Sequence, residues 1–244
     1  CGTSAATITR FCKSLDYAGY KEFQLDMAAA IAQREPLVLD DFTSDASPET
    51  IIQRVFESNR QSLSESLKVL DVAALINVAR LVQKAEKIFF LGLGGSGMIG
   101  CSGAERFMSL GLTAIAVVDP YDQIFTMGNT GSSDVVFGVS HTGQSTHITE
   151  ALRIARRRGA RTVALTNYPQ SPLAEVSEFR LITSFSEHRI NVGVSSSRIA
   201  QMCVIDSLYF IVASWGGRTT QQLADEAEKM AQKMLRFRVT DISS

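Results

Sequence analysis

The arrangement of apolar and polar positions changes near residue 87 of this chain. From there on, short apolar runs alternate with amphipathic stretches, a pattern typical of parallel strands joined by helical crossovers. The runs predict strands at residues 88–91, 114–118, 135–139, 163–166 and 179–182. The predicted fold class is therefore α/β, a doubly wound and mainly five-stranded parallel sheet flanked by helices.

Helical periodicity fills the intervals between those strands. It predicts helices at residues 97–110, 121–127 and 146–158, a short turn after Ser171 and Pro172, a long apolar helix at 198–215 and an amphipathic tail helix at 221–235. The helix at 198–215 is too rich in large apolar residues for one exposed side. We therefore expect it in the core, with part of it at a dimer interface.

Before residue 87 the chain is predicted to be helical with one interruption. A first helix opens the chain, and a second is expected at residues 20–33. Residues 36–47 lose the helical period and indicate a linker. Ser47 with Pro48 then opens a long helix, and Asp71 caps another.

Composition and charge narrow the classes of protein to consider. The chain is 45% hydrophobic and 20% charged, which supports a sizeable core and excludes wholesale disorder. It has 24 basic and 25 acidic residues, so any DNA contact must come from a local patch. No apolar run approaches the roughly 20 residues of a membrane-spanning helix, and the N-terminus has no signal-peptide pattern. We expect a cytoplasmic protein with no membrane partner.

The first residue and the cysteines add two expectations. The chain begins at Cys1 and not at a methionine, so the natural protein is expected to extend further at its N-terminus. The four cysteines lie far apart without C-x-x-C spacing, and we expect most of them to be reduced residues of the core.

A glycine-rich loop at residues 92–97 follows the first predicted strand and opens a helix. It fits the G-x-G-x-x-G fingerprint of dinucleotide-binding folds, and Asp119 stands where a ribose-binding acid would lie. The same glycines let backbone amides approach any phosphate at a helix N-terminus. A tight turn without a ligand is the third interpretation.

A second polar loop, at residues 140–145, follows the strand at 135–139. Its hydroxyls, on Ser140, Thr142 and Ser145, can donate hydrogen bonds while the next helix N-terminus supplies amides and positive potential. A dinucleotide-binding fold does not require such a loop on this strand, so the two loops together favour a phosphate site. In the alternative interpretation Ser145 only caps a helix and the residues before it only form a turn.

Four segments of the chain resemble the SIS (sugar isomerase) domain, a phosphosugar-binding α/β module. They are residues 92–96, 140–145, 159–167 and 171–174, and the resemblance covers about residues 75–215. It implies that the domain binds a sugar phosphate effector. The implied ligand-binding residues are Gly94, Gly95, Ser96, Ser140, His141, Thr142, Gly143 and Ser145.

The N-terminus is similar to a different module. Residues 3–23 resemble the recognition helix and following helix of the RpiR family, bacterial transcription regulators in which a helix-turn-helix domain precedes a single SIS domain. The first helices of that domain are absent from this chain. Hydroxyl and basic side chains suit phosphate and base-edge contacts, and the predicted DNA-binding residues are Ser4, Thr7, Thr9 and Arg10. Ile8 and Phe11 are expected on the packing face.

The resemblance implies a domain order and a function. We expect a partial helix-turn-helix domain at residues 1–35, a linker and connecting helix at 36–70, and the SIS domain at 71–244. The predicted function is a transcription regulator that senses a sugar phosphate and binds operator DNA. We expect a homodimer or tetramer, in which effector binding shifts the relative placement of paired DNA-binding domains.

Two enzyme classes are the alternatives. A sugar-phosphate isomerase needs a carboxylate or histidine over its substrate to move protons, and the candidates are His141 and the pair Glu187–His188. We interpret these as loop residues, and therefore predict no catalytic residue and no enzyme activity. The three histidines lack accompanying ligands, so no metal and no cofactor are predicted. A nicotinamide-dependent Rossmann enzyme is the second alternative.

Two further segments are open to more than one interpretation. Three consecutive arginines at residues 156–158 invite a nucleic-acid contact, but positive charge near a helix C-terminus is favourable without a partner, so we predict a solvated helix face. Residues 195–198 contain three serines and Arg198. They could close over the sugar, or they could form a capped helix start with Arg198 in an ion pair.

Overall fold

The computed structural model describes residues 5–15, 17–24, 47–184 and 195–216, together with residues 222, 225, 228, 229 and 232. Several predictions fall outside these residues: Ser4, the rest of the helix at 20–33, the linker up to residue 46, Glu187, His188 and most of the tail helix. The chain divides into two compact units, one reaching to Arg54 and one that begins at Val55.

The first unit contains a short amphipathic helix and a helical turn. Helix α1 spans Ala5–Ser14, as predicted, and residues 20–24 are also helical. Cys12 is fully buried, and the ring of Phe23 packs edge-on against those of Phe11 and Tyr17, with centroids 6.2 and 5.3 Å apart. Phe11 is nevertheless 54% exposed and Ile8 is 37% exposed, so the expected packing face is only partly covered.

The second unit is built on a five-stranded sheet. The strands are Lys87–Leu91 (β1), Ala114–Val117 (β2), Asp134–Val139 (β3), Arg161–Thr166 (β4) and Phe179–Ile182 (β5). Their order is β2-β1-β3-β4-β5, and every neighbouring pair is parallel. The predicted fold class is confirmed.

Helices connect and flank these strands. They are Pro48–Val69 (α2), Val72–Lys84 (α3), Gly95–Ser109 (α4), Pro120–Met127 (α5), Thr146–Arg157 (α6), Pro172–Val176 (α7) and Ser195–Trp215 (α8). The Asp71 carboxylate accepts a hydrogen bond from the Ala74 amide at the start of α3, as expected of an N-cap. Helix α2 supplies residues to both units. Among the described residues, none of these helices has the length and hydropathy to cross a membrane.

Three strands, β1, β3 and β4, begin earlier than their apolar runs do. The Asp134 carboxylate is buried and accepts a hydrogen bond from the Gly131 amide, which fixes the entry into β3. Arg161 opens β4 in an ion pair with Glu178. Polar residues with a local partner, such as Asp134, or a distant one, such as Arg161, can therefore start a strand, whereas hydrophobic patterning alone places the start at the first apolar position.

Hydrophobic side chains cover both faces of the sheet. One layer packs against α3, α4 and α8, and the other against α5, α6 and α7. In the first layer the ring of Phe90 stacks on those of Phe137 and Phe107, with centroids 4.7 and 6.0 Å apart. Aromatic burial of this kind contributes the largest apolar areas per residue, so β1 and β3 are anchored at the centre of the fold.

Helix α4 approaches the sheet through glycines. A Cβ at Gly97 would lie 3.2 Å from a methyl of Val118, and one at Gly100 would lie 3.3 Å from Cβ of Phe90. At Gly103 the distance to Cε1 of Phe90 would be 2.9 Å. Because no side chains separate them, α4 packs directly on the residues of β1 and on the end of β2.

The cysteine prediction is wrong in one respect. Cys12, Cys101 and Cys203 are all free thiols, but Cys101 and Cys203 are exposed. They occupy solvent-facing positions of α4 and α8, the helices whose inward faces are filled by glycines and by large apolar residues. Their apolar character alone therefore did not identify them as core residues.

Candidate functional site

The strand order places a crevice between β1 and β3. From β1 the chain crosses to β2 on one side, and from β3 it crosses to β4 on the other. At such a switch point the loops that leave the two strands diverge, which is where ligands bind in open α/β sheets. Leu91 pairs with Gly138, so the loops after β1 and β3 start one strand spacing apart, about 5 Å. These are the two loops that the sequence predicted.

The loop after β1 is shaped by its glycines. A Cβ at Gly92 would lie 2.5 Å from the carbonyl oxygen of Ser96, so only glycine fits there. Gly94 has a φ of +53° and forms the N-cap of α4 without any side-chain hydrogen bond. The loop therefore brings bare backbone to the N-terminus of α4, with the half-buried Ser96 in its first turn. That geometry suits the close approach of an anion.

The loop after β3 presents its hydroxyls in an ordered way. Oγ of the buried Ser140 accepts a hydrogen bond from the Gly143 amide at 3.1 Å, and Oγ1 of Thr142 accepts one from the Gln144 amide at 3.2 Å. Each hydroxyl keeps its own proton to donate. Ser145 is the N-cap residue of α6, but its side chain makes no capping hydrogen bond. The predicted turn exists, whereas the side-chain cap by Ser145 does not.

Helix α7 holds the second loop from behind. Gly143 has a φ of +63°, and a Cβ there would lie under 3.0 Å from both Oγ and Cβ of Ser171. The Gly143 carbonyl accepts a hydrogen bond from the Leu173 amide at 3.1 Å, and Ser171 Oγ caps α7 by accepting one from the Ala174 amide. The loop is thus packed against α7 at a position that only glycine can occupy.

A chain of polar side chains extends from His141. Nδ1 of His141 lies 2.8 Å from Oγ of Ser197, which donates to Oδ1 of Asn167 at 3.0 Å. Oγ1 of Thr183 donates to the same Asn167 oxygen at 2.9 Å. The Ser197 hydroxyl thus links the imidazole of His141 to the side chain of Asn167. The network joins the ends of β3, β4 and β5 to the first turn of α8.

The sequence pattern alone does not assemble this network. Asn167 and Ser197 belong to separate segments of the sequence, and nothing in the local pattern singles out Thr183. Asn167 and Thr183 follow directly after β4 and β5, a position at the carboxyl edge of a parallel sheet that could have identified them.

Arg198 lies over the first turn of α4. A Cβ at Gly95 would lie 3.2 Å from Nη1 of Arg198 and 3.1 Å from its Cδ. Arg198 is also in the first turn of α8, so its guanidinium is near the positive ends of two helices. This arrangement places a guanidinium beside the loop after β1, a position that suits the binding of an anion. Residues 197 and 198 therefore begin a helix and also face the loops.

Asp119 does not have the surroundings of a ribose-binding acid. Its carboxylate is the N-cap of α5 and accepts hydrogen bonds from the amides of Tyr121 and Asp122 at 2.8 and 3.1 Å. Behind it, the buried Gln123 amide donates to the carbonyls of Gly92 and Val117. Asp119 therefore serves the helix, and the dinucleotide interpretation loses the acid on which it relied.

The arginine-rich face of α6 is held by local contacts. Arg153 and Arg157 both pair with Glu150, and Arg156 Nη1 donates to the carbonyl of Val176 at 3.0 Å. The hydrogen bond from Arg153, with a smaller contribution from Arg157, holds the pKa of the Glu150 carboxyl below its ordinary value. The geometry agrees with a solvated helix face.

Three of the predicted DNA-contacting residues, Thr7, Thr9 and Arg10, lie on α1 and are exposed there, whereas Ser4 lies outside the described residues. Exposure is required of residues that touch DNA, although it does not by itself distinguish them from an ordinary polar face.

Among the residues that the structure describes, no group of three or more His, Cys, Asp and Glu side chains could hold a metal ion.

Comparison with known proteins identifies the two modules. Residues 1–34 match the model for the helix-turn-helix domain of the rpiR family, and residues 81–211 match that for the SIS domain. An uncharacterized HTH-type transcriptional regulator of Caldanaerobacter subterraneus is 33% identical over 87% of this chain and 76% of its own length. HexR, an HTH-type transcriptional regulator of Escherichia coli, is 31% identical over 84% of this chain and 71% of its own.

A solved structure agrees in fold. The NanR protein of Vibrio vulnificus, complexed with ManNAc-6P, superposes with a TM-score of 0.69 at 24% identity, covering 96% of this chain and 82% of its own. The resemblance expected from the two loops and the N-terminal helix is therefore confirmed. This chain belongs to the RpiR family of HTH-type transcriptional regulators, in which a helix-turn-helix segment precedes an SIS domain.

Proposed function

We propose that this regulator senses a sugar phosphate in the crevice between β1 and β3 and is not an enzyme. The observation that carries the proposal is the convergence of two hydroxyl- and glycine-bearing loops with the Arg198 guanidinium at one switch point. The proposed ligand-binding residues are those predicted from the sequence: Gly94, Gly95, Ser96, Ser140, His141, Thr142, Gly143 and Ser145.

The phosphate group is assigned to the two loops. The N-termini of α4 and α6 point positive potential at the crevice, and the hydroxyls of Ser96, Ser140 and Ser145 supply directional donors. Charge-assisted hydrogen bonds of this kind are stronger than neutral ones. NanR, of similar fold, was solved with a sugar phosphate, which supports this class of ligand.

The sugar is assigned to the side of the crevice lined by the His141 network. His141, Ser197 and Asn167 offer nitrogen and oxygen atoms that can exchange hydrogen bonds with sugar hydroxyls. His141 is the histidine of this set, and its Nδ1 contacts the Ser197 hydroxyl. Because the relatives of this chain are named as HTH-type transcriptional regulators, we propose a sensor without turnover.

The whole protein would act on DNA. We propose that the exposed face of α1, with Thr7, Thr9 and Arg10, contacts operator DNA together with the preceding Ser4. A homodimer or tetramer in the bacterial cytoplasm is part of the proposal, as are the domain limits 1–35, 36–70 and 71–244. Two-fold pairing would present two such helices to a palindromic operator.

A panel of sugar phosphates tests the ligand assignment. The chain is screened against hexose, pentose and N-acetylhexosamine phosphates by thermal shift, and hits are measured by calorimetry and checked for product formation. Stabilisation without turnover supports the proposal. Turnover would establish an isomerase, and no stabilisation by any member of the panel would contradict the site.

Serine variants then locate the phosphate. Ser145→Ala removes a hydroxyl with no capping role, and a hydrogen bond to a charged group contributes about 1.5 kcal/mol or more, so the affinity should fall about tenfold. The double variant Ser140→Ala, Ser145→Ala should lose about 100-fold. Ser109→Ala is the matched control, since that hydroxyl only donates to the Arg106 carbonyl of its own helix. If all three variants bound the sugar phosphate as tightly as the unmodified chain does, the assignment of the phosphate to Ser140 and Ser145 would be wrong.

A further inference from the structure

Helix α2 is fastened to the sensor domain by serines. In these contacts, here called the serine latch, Ser58 Oγ lies 3.2 Å from Ser196 Oγ. Ser62 Oγ donates to the carbonyls of Ser184 and Ser196 at 3.0 and 3.2 Å. Ser66 Oγ donates to the Ser184 carbonyl at 3.0 Å and accepts a hydrogen bond from the Ser184 amide at 2.9 Å. The three α2 serines are four residues apart, so they form one line along the helix.

The latch replaces the apolar packing usual for a helix on a domain. Ser62 and Ser66 are the buried side chains of α2, at 2% and 6% exposure, whereas Phe56 and Leu67 are each 74% exposed. An amphipathic helix normally buries its large apolar residues. Here directional hydrogen bonds to two backbone segments hold the helix, and such bonds depend on the positions of both segments to within a few tenths of an ångström.

The same two segments carry the candidate site. Ser184 follows Thr183, which donates to Asn167. Ser196 precedes Ser197, which bonds His141 and Asn167, and Arg198, which lies over Gly95. Along each segment, one residue is directed into the site and its neighbour is directed at α2.

We propose that the serine latch couples occupancy of the phosphate site to helix α2. This rests on the proposed function. An anion in the crevice interacts with the Arg198 guanidinium and with the first turn of α8, and so stabilises the position of Ser196 beside it. The latch bonds of Ser58 and Ser62 then persist longer, and α2 is held more firmly on the domain. Because α2 is continuous from Pro48, effector binding reaches the part of the chain that leads from the DNA-binding segment.

Hydrogen exchange measures the latch directly. Amide exchange in residues 58–66 is followed by mass spectrometry in the full chain, with and without a sugar phosphate that the panel shows to bind, and with inorganic phosphate as a second probe. Coupled sites commonly change each other's affinity fivefold or more. We therefore expect the rate of amide exchange in residues 58–66 to fall about fivefold on binding. Exchange in the exposed first turn of α5 is the internal reference.

Linkage gives a second, reciprocal readout. If the ligand strengthens the latch, then removing the latch must weaken the ligand by the same factor. Ser62→Ala, Ser66→Ala should therefore bind about fivefold more weakly, and the milder Ser58→Ala should follow in the same direction if the double variant folds poorly. Ser64→Ala, on the exposed side of the same helix, is the matched control and should bind as the unmodified chain does.

The outcomes separate the two proposals. Binding of a sugar phosphate with unchanged exchange at residues 58–66, or with unchanged affinity in the Ser58→Ala and double variants, overturns the latch and leaves the sensor function standing. Failure of every sugar phosphate to bind the unmodified chain overturns the sensor function and the latch together.

Discussion

Gly143→Ala tests whether the second polar loop, at residues 140–145, is fixed by its packing against α7. Two separate costs arise at this position. A φ of +63° is unfavourable for an L-residue by about 1–2 kcal/mol. The new methyl would also lie under 3.0 Å from Cβ and Oγ of Ser171 and 3.0 Å from Oγ1 of Thr166. Rotating Ser171 would not relieve the contact with its Cβ and would remove the cap of α7.

The expected loss of stability follows from adding the two costs. Overpacking a tight site costs about 1–3 kcal/mol, so the total for Gly143→Ala is about 3 kcal/mol. In a protein of this size that lowers Tm by about 6–12 °C. Gly159→Ala is the control: its φ is +94°, but the nearest atom would be 3.7 Å away, so only the backbone cost of about 1–2 kcal/mol applies. The two changes also affect the unfolded chain equally.

Urea unfolding at fixed pH, followed by circular dichroism, measures both free energies of unfolding. Adding Ser171→Gly to Gly143→Ala removes the clashing atoms and should recover about 1–2 kcal/mol, since glycine is nearly as good an N-cap as serine. Equal losses of unfolding free energy for Gly143→Ala and Gly159→Ala would show that the loop yields to the methyl. The absence of any recovery in the double variant would show that the Ser171 atoms do not limit the space at Gly143.

Two further changes examine the core and the surface. Gly103→Ala places a methyl 2.9 Å from the Phe90 ring and should lower the free energy of unfolding, measured by urea titration, by about 1–3 kcal/mol. The control Gly131→Ala, with nothing within 4 Å, should change it little. An unchanged free energy in Gly103→Ala would show that α4 can move off the sheet. Arg153 lowers the pKa of Glu150, so the carboxylate stabilises the fold above its unfolded pKa and stops doing so as the pH falls through the lower folded pKa. Glu150→Gln should therefore lower Tm by about 1–2 °C at pH 7, and the difference should close as the pH falls through the lowered pKa of Glu150. A difference that widened in acid would contradict the sign.

The strands were predictable because most of them are buried on both faces. All six residues of β3 are buried, including the Asp134 at its start, and such a strand reads as a continuous apolar run. The pattern was less informative where a polar residue with a distant partner began a strand, as at Arg161 of β4. A tertiary contact determines where such a strand begins, and the local sequence pattern carries no information about that contact.

The candidate site divides in the same way. The glycines and hydroxyls of the two loops stand next to each other in the sequence, so the amino-acid order alone reveals their chemistry. The other members of the His141 network come from three separated segments, and only the folded domain brings Asn167, Thr183 and Ser197 together. Ser62 and Ser66 resemble surface residues of a polar helix, because hydroxyls that bond a distant backbone have no local pattern.

The glycine-lined contact of α4 with the sheet bears on how such a sensor can acquire a new effector. At Gly97 and Gly100 the helix rests on Val118 and Phe90 without intervening side chains, so almost any substitution there displaces the helix together with the loop that precedes it. His141 after β3, Asn167 after β4 and Ser197 at the start of α8 are joined by side-chain hydrogen bonds and not by a glycine contact of this kind. In a library selected for response to a different sugar phosphate, accepted changes should therefore accumulate around His141, Asn167 and Ser197, while α4 stays as it is. The helix acts as the invariant half of a site whose other half is open to change.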